Sequence, residues 1–281
     1  MAMKSIMVPC DFSGPARNAF TFAVELAGIS NGEVHVIHFV ELPVVVDSTM
    51  GMGPYPIDPK VFSEMEEQAL EEFEKMKNAA TLPAGVNVKF KSVRGYIIQG
   101  IQGYVKANNI DLIVMGTHGA KGMEEFFIGS HTEKIVRLSP VPVLAIRNKI
   151  SVSSVRNIVL PNGLEAGQEQ FIEKVKALQK FFQATLHILL VNTPNHFRRE
   201  QEANAALEEF ARNYKLERYT LNFRSHTLEQ EGILAFAKEV KADIIAMGTH
   251  GRKGLAHLFK GSIAESVVNH VETPIWTCNL G

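Results

Sequence analysis

One fifteen-residue pattern occurs twice in this chain of 281 residues. GTHGAKGMEEFFIGS begins at Gly116 and GTHGRKGLAHLFKGS begins at Gly248, with nine of fifteen positions identical. Both copies carry the spacing G-x2-G-x9-G-S. A pattern that recurs at a fixed distance indicates a duplicated structural unit, so one fold plan should describe both parts of the chain.

The surroundings of the two copies repeat as well. An offset of 132 residues aligns NIDLIVMG with KADIIAMG, and SPVPVLAI with VETPIWTC. Near the starts of the halves the offset is 152, which aligns KSIMVP with RNIVLP and VHVIHFV with LHILLVN. The first half therefore contains 20 additional residues, which lie somewhere between about residues 43 and 99. We predict two tandem domains, residues 1–149 and 154–281, joined through NKISVSSV.

Apolar runs and helical patterns alternate in each half. The predicted strands of the first half are SIMVP, EVHVIHFV, VNVKFKSV, DLIVMG and VPVLAI. Helical periodicity separates them at 15–27, 61–80, 96–108 and 131–138. This alternation is typical of an α/β fold in which helices cover both faces of a parallel sheet. The segment 42–59 has no helical period and is predicted to be a long loop.

Composition excludes several classes of function. The net charge is −1, so no overall basic field would recruit nucleic acid or an acidic membrane. The two cysteines, Cys10 and Cys278, have no spacing typical of a zinc site or a disulfide framework. We find no run of about 18 apolar residues and no secretory pattern, so the expected location is the cytoplasm.

The repeated glycines lie where an α/β sheet binds ligands. In open parallel sheets, ligands bind outside the carboxyl ends of the strands. Gly116 and Gly119 follow the strand DLIVM, and Gly129 and Ser130 begin the next helix. Glycine lets the backbone approach a ligand closely, and a helix N-terminus favours an anion. The spacing can therefore present two backbone segments to a phosphate group.

A purely structural interpretation competes with this one. Ser130-x-x-Glu133 has the form of a capping box, and turns alone explain glycines. The same spacing twice, each time at the expected ligand edge, favours binding. For Asp11 two interpretations stay open, a contact with a nucleoside or a cap of the helix 15–27. His118 and His250 have no acid or nucleophile at a spacing that would build a catalytic triad, so no catalytic residue is predicted.

The chain resembles the tandem members of the universal stress protein family. The residues that carry the resemblance are IMVPCDFS, GTHG, the glycine spacing and PVPVLAI. The resemblance implies two Rossmann-like domains, each with an open five-stranded parallel sheet flanked by helices on both faces. It also implies a stress-response function and an intramolecular pseudo-dimer formed through the closing strands VPVLAI and TPIWTC. Whether two chains form a homodimer stays open.

In the ATP-binding branch of that family, the matching residues bind the nucleotide. The resemblance implies ATP, with or without Mg²⁺, as the ligand of the first half, and no metal site built from protein side chains. Pro9, Cys10 and Asp11 would line the adenosine end, with Phe39 near the base. The remaining implied nucleotide-binding residues are Met115, Gly116, His118, Gly119, Gly129, Ser130, His131 and Thr132.

The second half departs from this pattern at one end. Asn162 and Gly163 stand where Cys10 and Asp11 stand in the first half, so the carboxylate is missing. We therefore expect a degenerate second site that binds adenine nucleotides weakly or not at all. It consists of Gly248, Gly251, Gly261 and Ser262.

These observations favour a regulatory ATP-binding protein that does not catalyse a reaction. Its expected partner is an adenine nucleotide, rather than a nucleic acid or a membrane. Two alternatives stay open, a scaffold or chaperone-like protein with vestigial nucleotide sites and a weak ATP hydrolase. The hydrolase is disfavoured because no acid pair or basic cluster is placed to bind a metal or stabilise a leaving pyrophosphate.

Overall fold

The computed structural model describes residues 3–40, 59–117, 130–249 and 272–279. The rest of segment 42–59 and the repeated glycine stretches after residues 117 and 249 lie outside these ranges. Of residues 59, 130, 131 and 133 only the backbone is described.

Strands and helices alternate through the first half, as the periodicity predicts. The helix predicted at 15–27 extends three residues further at its C-terminal end and one at its N-terminal end. The described elements are β1 (Ser5–Pro9), α1 (Gly14–Ser30), β2 (Glu33–Val40), α2 (Pro59–Ala79), β3 (Asn87–Arg94), α3 (Ile97–Ala107), β4 (Leu112–Gly116), α4 (Ser130–Leu138) and β5 (Val143–Ile146).

The second half repeats this order after one turn of 3-10 helix, Val152–Ser154. No element is described between β9 and β10, because residues 250–271 fall outside the described ranges. The elements are β6 (Asn157–Pro161), α5 (Glu169–Phe182), β7 (Thr185–Asn192), α6 (Glu200–Asn213), β8 (Tyr219–Ser225), α7 (Glu229–Glu239), β9 (Ile244–Thr249) and β10 (Ile275–Asn279). None of the described helices is long and apolar enough to cross a membrane.

The strands form one ten-stranded sheet in the order β3-β2-β1-β4-β5-β10-β9-β6-β7-β8. Within each half the neighbouring strands are parallel. Between the halves β5 and β10 pair antiparallel, with Trp276 opposite Leu144. This is the strand pairing expected from the closing segments VPVLAI and TPIWTC. It covers two strands that would otherwise be exposed sheet edges.

The apolar core follows from fully buried strands. β4 and β5 show almost continuous burial, as expected for strands covered on both faces. One cluster, beneath α1, α2, α5 and α6, continues from one half into the other. Trp276 lies in it, fully buried, with its ring 6.2 Å from that of Phe171. The opposite face carries one described cluster in each half.

A repeated carboxylate fixes the start of the first strand in each half. Asp111 Oδ2 accepts hydrogen bonds from the backbone N–H groups of Lys4 (2.9 Å) and Ser5 (3.1 Å). In the second half Asp243 Oδ2 accepts from the N–H groups of residues 156 and 157, at 2.8 and 2.9 Å. The Asp in NIDL and KADI is thus explained by strand alignment rather than by chemistry on a substrate.

The segment between the halves is attached to the first helix. Glu25 Oε2 accepts from the Ser151 hydroxyl and from the Val152 N–H, both at 2.8 Å. Asn18 Nδ2 donates to the Arg147 carbonyl at 3.2 Å. These three bonds hold the connection on the surface of α1, next to the shared core cluster.

We expect Asp243→Ala to lower the free energy of unfolding by about 1.5–3 kcal/mol, because it removes a charged acceptor from two backbone donors. Asp243→Asn retains an acceptor oxygen and should lose less. Urea unfolding followed by circular dichroism measures both. Equal stability of Asp243→Ala and the wild type would contradict the proposed role of this carboxylate.

Candidate functional site

The strand order creates a crevice at the carboxyl ends of β1 and β4. These strands are neighbours, with Ile6 opposite Leu112 and Met7 opposite Ile113. From β1 the chain continues through α1 to β2, and from β4 it continues to β5 on the other side. The two connections therefore leave in opposite directions, which is the arrangement where open α/β sheets bind ligands. The structure brings the predicted segment Pro9–Asp11 and Gly116 to this point.

Asp11 lies exposed in the turn between β1 and α1. Its Oδ1 accepts a hydrogen bond from the Ser13 N–H at 3.1 Å. The helix itself is capped by Ser13, whose hydroxyl accepts from the Ala16 N–H at 3.4 Å. Of the two interpretations of Asp11, the helix cap is therefore not supported, because Ser13 caps α1. Asp11 stabilises the preceding turn and places a carboxylate at the mouth of the crevice.

The next residue, Phe12, has a left-handed backbone with φ 60°. This conformation costs a residue with a side chain about 1–2 kcal/mol. The Phe12 ring stacks on His38 with ring centroids 5.1 Å apart, and His38 Nδ1 hydrogen-bonds the Cys10 carbonyl at 2.9 Å. At the equivalent position of the second half, Leu164 has φ 65°. The strained turn is therefore a property of the duplicated unit.

Cys10 contributes its backbone rather than its thiol to the crevice. The residue is 5% exposed, and its Sγ lies 3.9 Å from the Met76 sulfur of α2. Sγ also accepts from the Phe12 N–H at 3.4 Å, which supports the strained turn. Burial raises the pKa of the Cys10 thiol to about 12. A ligand in the crevice would meet the polypeptide backbone at this position.

Gly116 is required by helix packing. A Cβ atom at this position would lie 2.7 Å from the Pro15 carbonyl carbon and 2.8 Å from the Ala16 nitrogen. The start of α1 therefore packs directly on the end of β4. The buried Thr132 hydroxyl donates to the Gly116 carbonyl at 3.3 Å, which holds the first turn of α4 at the same strand end. One glycine of the repeated pattern thus has a structural explanation beside any contact with a ligand.

Phe39 packs against α3 through a second glycine. A Cβ at Gly100 would clash with the Cε1 edge of the Phe39 ring. In the second half Val191 Cγ1 lies 2.7 Å from a Cβ built at Gly232, the equivalent glycine of α7, so helix packing explains both glycines. Phe39 is partly buried, and Met115 is buried in the same cluster.

Several predicted residues lie outside the described ranges. The structure gives no position for His118, Gly119 and Gly129, and only the backbone of Ser130 and His131. In the second half Gly248 is the penultimate residue of β9, which ends at Thr249, while Gly251, Gly261 and Ser262 lie outside the described residues. The glycine pattern itself is therefore described only at its first position in each half.

The histidines within the strands form hydrogen bonds on both ring nitrogens in two equivalent places. The buried His35 contacts Tyr104 Oη at 2.9 Å and Glu33 Oε1 at 2.8 Å. His187 contacts Thr220 Oγ1 at 2.8 Å and Asn157 Oδ1 at 3.2 Å. Among the described residues, no group of three or more His, Cys, Asp or Glu side chains could hold a metal ion.

The corresponding edge of the second half is bridged by its own side chains. Asn162 Oδ1 accepts from the Leu164 N–H at 2.7 Å, and its Nδ2 donates to Gln168 Oε1 at 2.7 Å. Gln168 is 7% exposed and donates in return to Glu165, to the backbone oxygen at 3.0 Å and to Oε2 at 3.3 Å. The Asn162 amide is thus committed to its own turn.

Gly163, which stands at the position equivalent to Asp11, is also contacted by neighbouring side chains. A Cβ at this position would lie 2.5 Å from Glu165 Oε1, and Arg198 Nη2 donates to the Gly163 carbonyl at 3.3 Å. Burial and repulsion from Glu165 raise the pKa of the Glu229 carboxyl, while His196 opposes the shift. No sequence pattern predicted this network, because Gln168 and Arg198 have no counterpart in the aligned motifs.

A doubly wound parallel sheet with a topological switch point between β1 and β4 defines a Rossmann-like α/β protein. The universal stress protein family model matches residues 3–147 and 154–279. The chain therefore belongs to the universal stress protein family and contains two such domains in tandem.

Single-domain and tandem relatives resemble this chain in different ways. Universal stress protein YxiE of Bacillus subtilis is 30% identical over 148 residues, which are 51% of this chain and 99% of YxiE. A universal stress protein from Archaeoglobus fulgidus superposes with a TM-score of 0.73 at 21% identity, covering 100% of both chains. Another universal stress protein, 17% identical with a TM-score of 0.39 over 46% of this chain, was solved in complex with cAMP.

We expect the Cys10 thiol to resist alkylation in the folded protein. In a Cys278→Ser background at pH 8, iodoacetamide should react far more slowly with the native protein than with urea-unfolded protein. The thiolate is the nucleophile, and the buried thiol with its raised pKa forms little thiolate at this pH. The fold raises the thiol pKa from its ordinary 9.0 to about 12, so the unfolded state releases this proton first as the pH rises. The contribution of Cys10 to the free energy of unfolding should therefore fall progressively as the pH rises from about 9 to about 12. Equal alkylation rates in both states would contradict this burial.

Proposed function

We propose that the protein binds ATP at the crevice between the carboxyl ends of β1 and β4, as a regulatory protein without turnover. The observation that carries the proposal is the exposed Asp11 carboxylate, held by a strained turn at the topological switch point. A carboxylate there is suited to accept hydrogen bonds from the hydroxyl or amino groups of a nucleoside.

The phosphate end of the proposed site is supported by α4. This helix begins at Ser130, and Thr132 attaches its first turn to the end of β4. The unpaired N–H groups and partial positive charge of a helix N-terminus favour phosphate. We propose that the phosphates bind here, with His118, Gly119, Gly129, Ser130 and His131 as the contacts that the sequence suggests. Mg²⁺ would be bound through the phosphates, with no ligand set from the protein.

The proposal of regulation without turnover is distinct from two alternatives. A scaffold with vestigial sites would bind no nucleotide, and a hydrolase would turn ATP over repeatedly. Nucleotide released from the purified protein on denaturation, together with a phosphate-release assay, separates the three.

We further propose that the halves, with domain boundaries at 1–149 and 154–281, act as an intramolecular pseudo-dimer. Sedimentation would then decide whether chains associate further.

The second half is proposed to bind no nucleoside. Its Asn162 amide already bonds with Gln168 and Leu164, and Glu165 and Arg198 bond around Gly163. A nucleoside would have to displace these contacts without gaining a carboxylate partner, so the network supports one ATP site per chain.

We expect Asp11→Ala to weaken ATP binding about 10- to 150-fold, the range for loss of about 1.5–3 kcal/mol from a hydrogen bond to a charged group. Isothermal calorimetry measures the affinity. Ser13→Ala is the matched control, because it removes the cap of α1 but leaves the carboxylate in place. If Asp11→Ala and Ser13→Ala both bind ATP like the wild type, Asp11 is a turn residue only.

The difference between the two halves predicts that each chain binds one ATP molecule. Native mass spectrometry of the full chain with excess ATP should show a single tightly bound nucleotide, which Asp11→Ala reduces. Gly163→Asp alone should not create a second site, because the Glu165 carboxylate beside that position would repel the introduced carboxylate. Two equally tight ATP sites in the wild type would refute the proposed asymmetry.

A further inference from the structure

An exposed aromatic side chain lies on the ligand edge of the first half. Tyr96 is 70% exposed, and its side-chain hydroxyl makes no hydrogen bond with the described residues, although its carbonyl accepts one from the Gly100 N–H at 3.0 Å. It occupies the N-cap position of α3 without a side-chain capping bond. Helix capping, hydrogen bonding and core packing therefore leave the position of this large side chain unexplained.

The backbone fixes Tyr96 next to the end of β2. Gly95, with φ +124°, occupies a conformation that favours glycine, and its N–H donates to the Val40 carbonyl at 3.2 Å. This bond joins the turn after β3 to the last residue of β2. Phe39 precedes that residue and packs on Gly100 of α3, the helix that begins just after Tyr96.

The strand order places Asp11, Phe39 and Tyr96 one after another along the edge formed by the carboxyl ends of the strands. Because β3, β2 and β1 are adjacent and parallel, their carboxyl ends lie side by side at a spacing of about 4.8 Å. Asp11 follows β1, Phe39 lies near the end of β2 and Tyr96 follows β3. A nucleoside that extends away from the phosphate end at β4 would pass Asp11 and bring its base towards Tyr96.

We infer that Tyr96 is the stacking surface for the base of the bound nucleotide. This inference rests on the proposed ATP site, and it assigns to Tyr96 the contact through which that site would favour an aromatic base. The second half supports it by contrast, since the equivalent residue is Leu228, which is 45% exposed and has no aromatic ring. The half that lacks the carboxylate thus also lacks the aromatic surface.

The test compares two ligands and three variants by calorimetry. Tyr96→Ala should weaken ATP binding about 5- to 150-fold, the range for loss of one aromatic stacking partner. Tyr96→Phe should retain the wild-type affinity, and Leu228→Ala on the other half serves as the matched control. Inorganic tripolyphosphate, which has no base, should bind Tyr96→Ala and the wild type with the same affinity.

Each outcome has a separate meaning. If the wild type does not bind ATP, the proposed function is wrong and the inference with it. If the wild type binds ATP but Tyr96→Ala binds it equally well, only the inference fails. A parallel loss of tripolyphosphate affinity in Tyr96→Ala also overturns stacking, because it would show a general disturbance of the site. A Tyr96→Trp variant whose added fluorescence is quenched by ATP, but not by tripolyphosphate, would support contact with the base.

Discussion

The antiparallel pairing of β5 with β10 determines how the two halves of this protein act together. Each half ends in a strand that would be an open sheet edge, and joining the two removes both edges at once. Strands on the two sides of this seam run in opposite directions, so the carboxyl ends of the first half and of the second lie on opposite edges of the sheet. The halves therefore share a core, but each has a crevice of its own.

The shared core and the separate crevices explain what duplication preserved. Features that hold the fold recur at equivalent positions, such as the carboxylates of Asp111 and Asp243 and the left-handed residues Phe12 and Leu164. The two halves differ at the nucleoside end of the proposed site, although the glycine pattern recurs in both. In the first half an exposed Asp11 stands in the turn, whereas in the second half Gly163 stands among hydrogen-bonded side chains. Packing constrains both copies equally, but only one crevice has to accept a nucleoside in our proposal.

Strain at the end of β1 connects packing with binding. Phe12 adopts an unfavourable backbone conformation that is compensated by its stacking on His38 and by the bond from its N–H to the Cys10 sulfur. These buried contacts position the neighbouring Asp11 without using the carboxylate for the helix cap, which Ser13 supplies. The core thereby holds a charged side chain at the crevice, where binding to a nucleotide would use it.

The sequence alone determined the duplication and the order of strands and helices, since these follow from the repeat and from periodicity. The pairing of the closing strands was expected from the family resemblance together with the need to cover sheet edges. The sequence also located Asp11 and Gly116 at one edge, because parallel strands place their carboxyl ends together. Only the tertiary structure decided that the Cys10 thiol lies in the core, that Gly116 makes room for α1, and that Gln168 and Arg198 enclose the second crevice. These outcomes depend on contacts between residues distant in the chain or on the direction of single side chains, and local sequence patterns do not encode either.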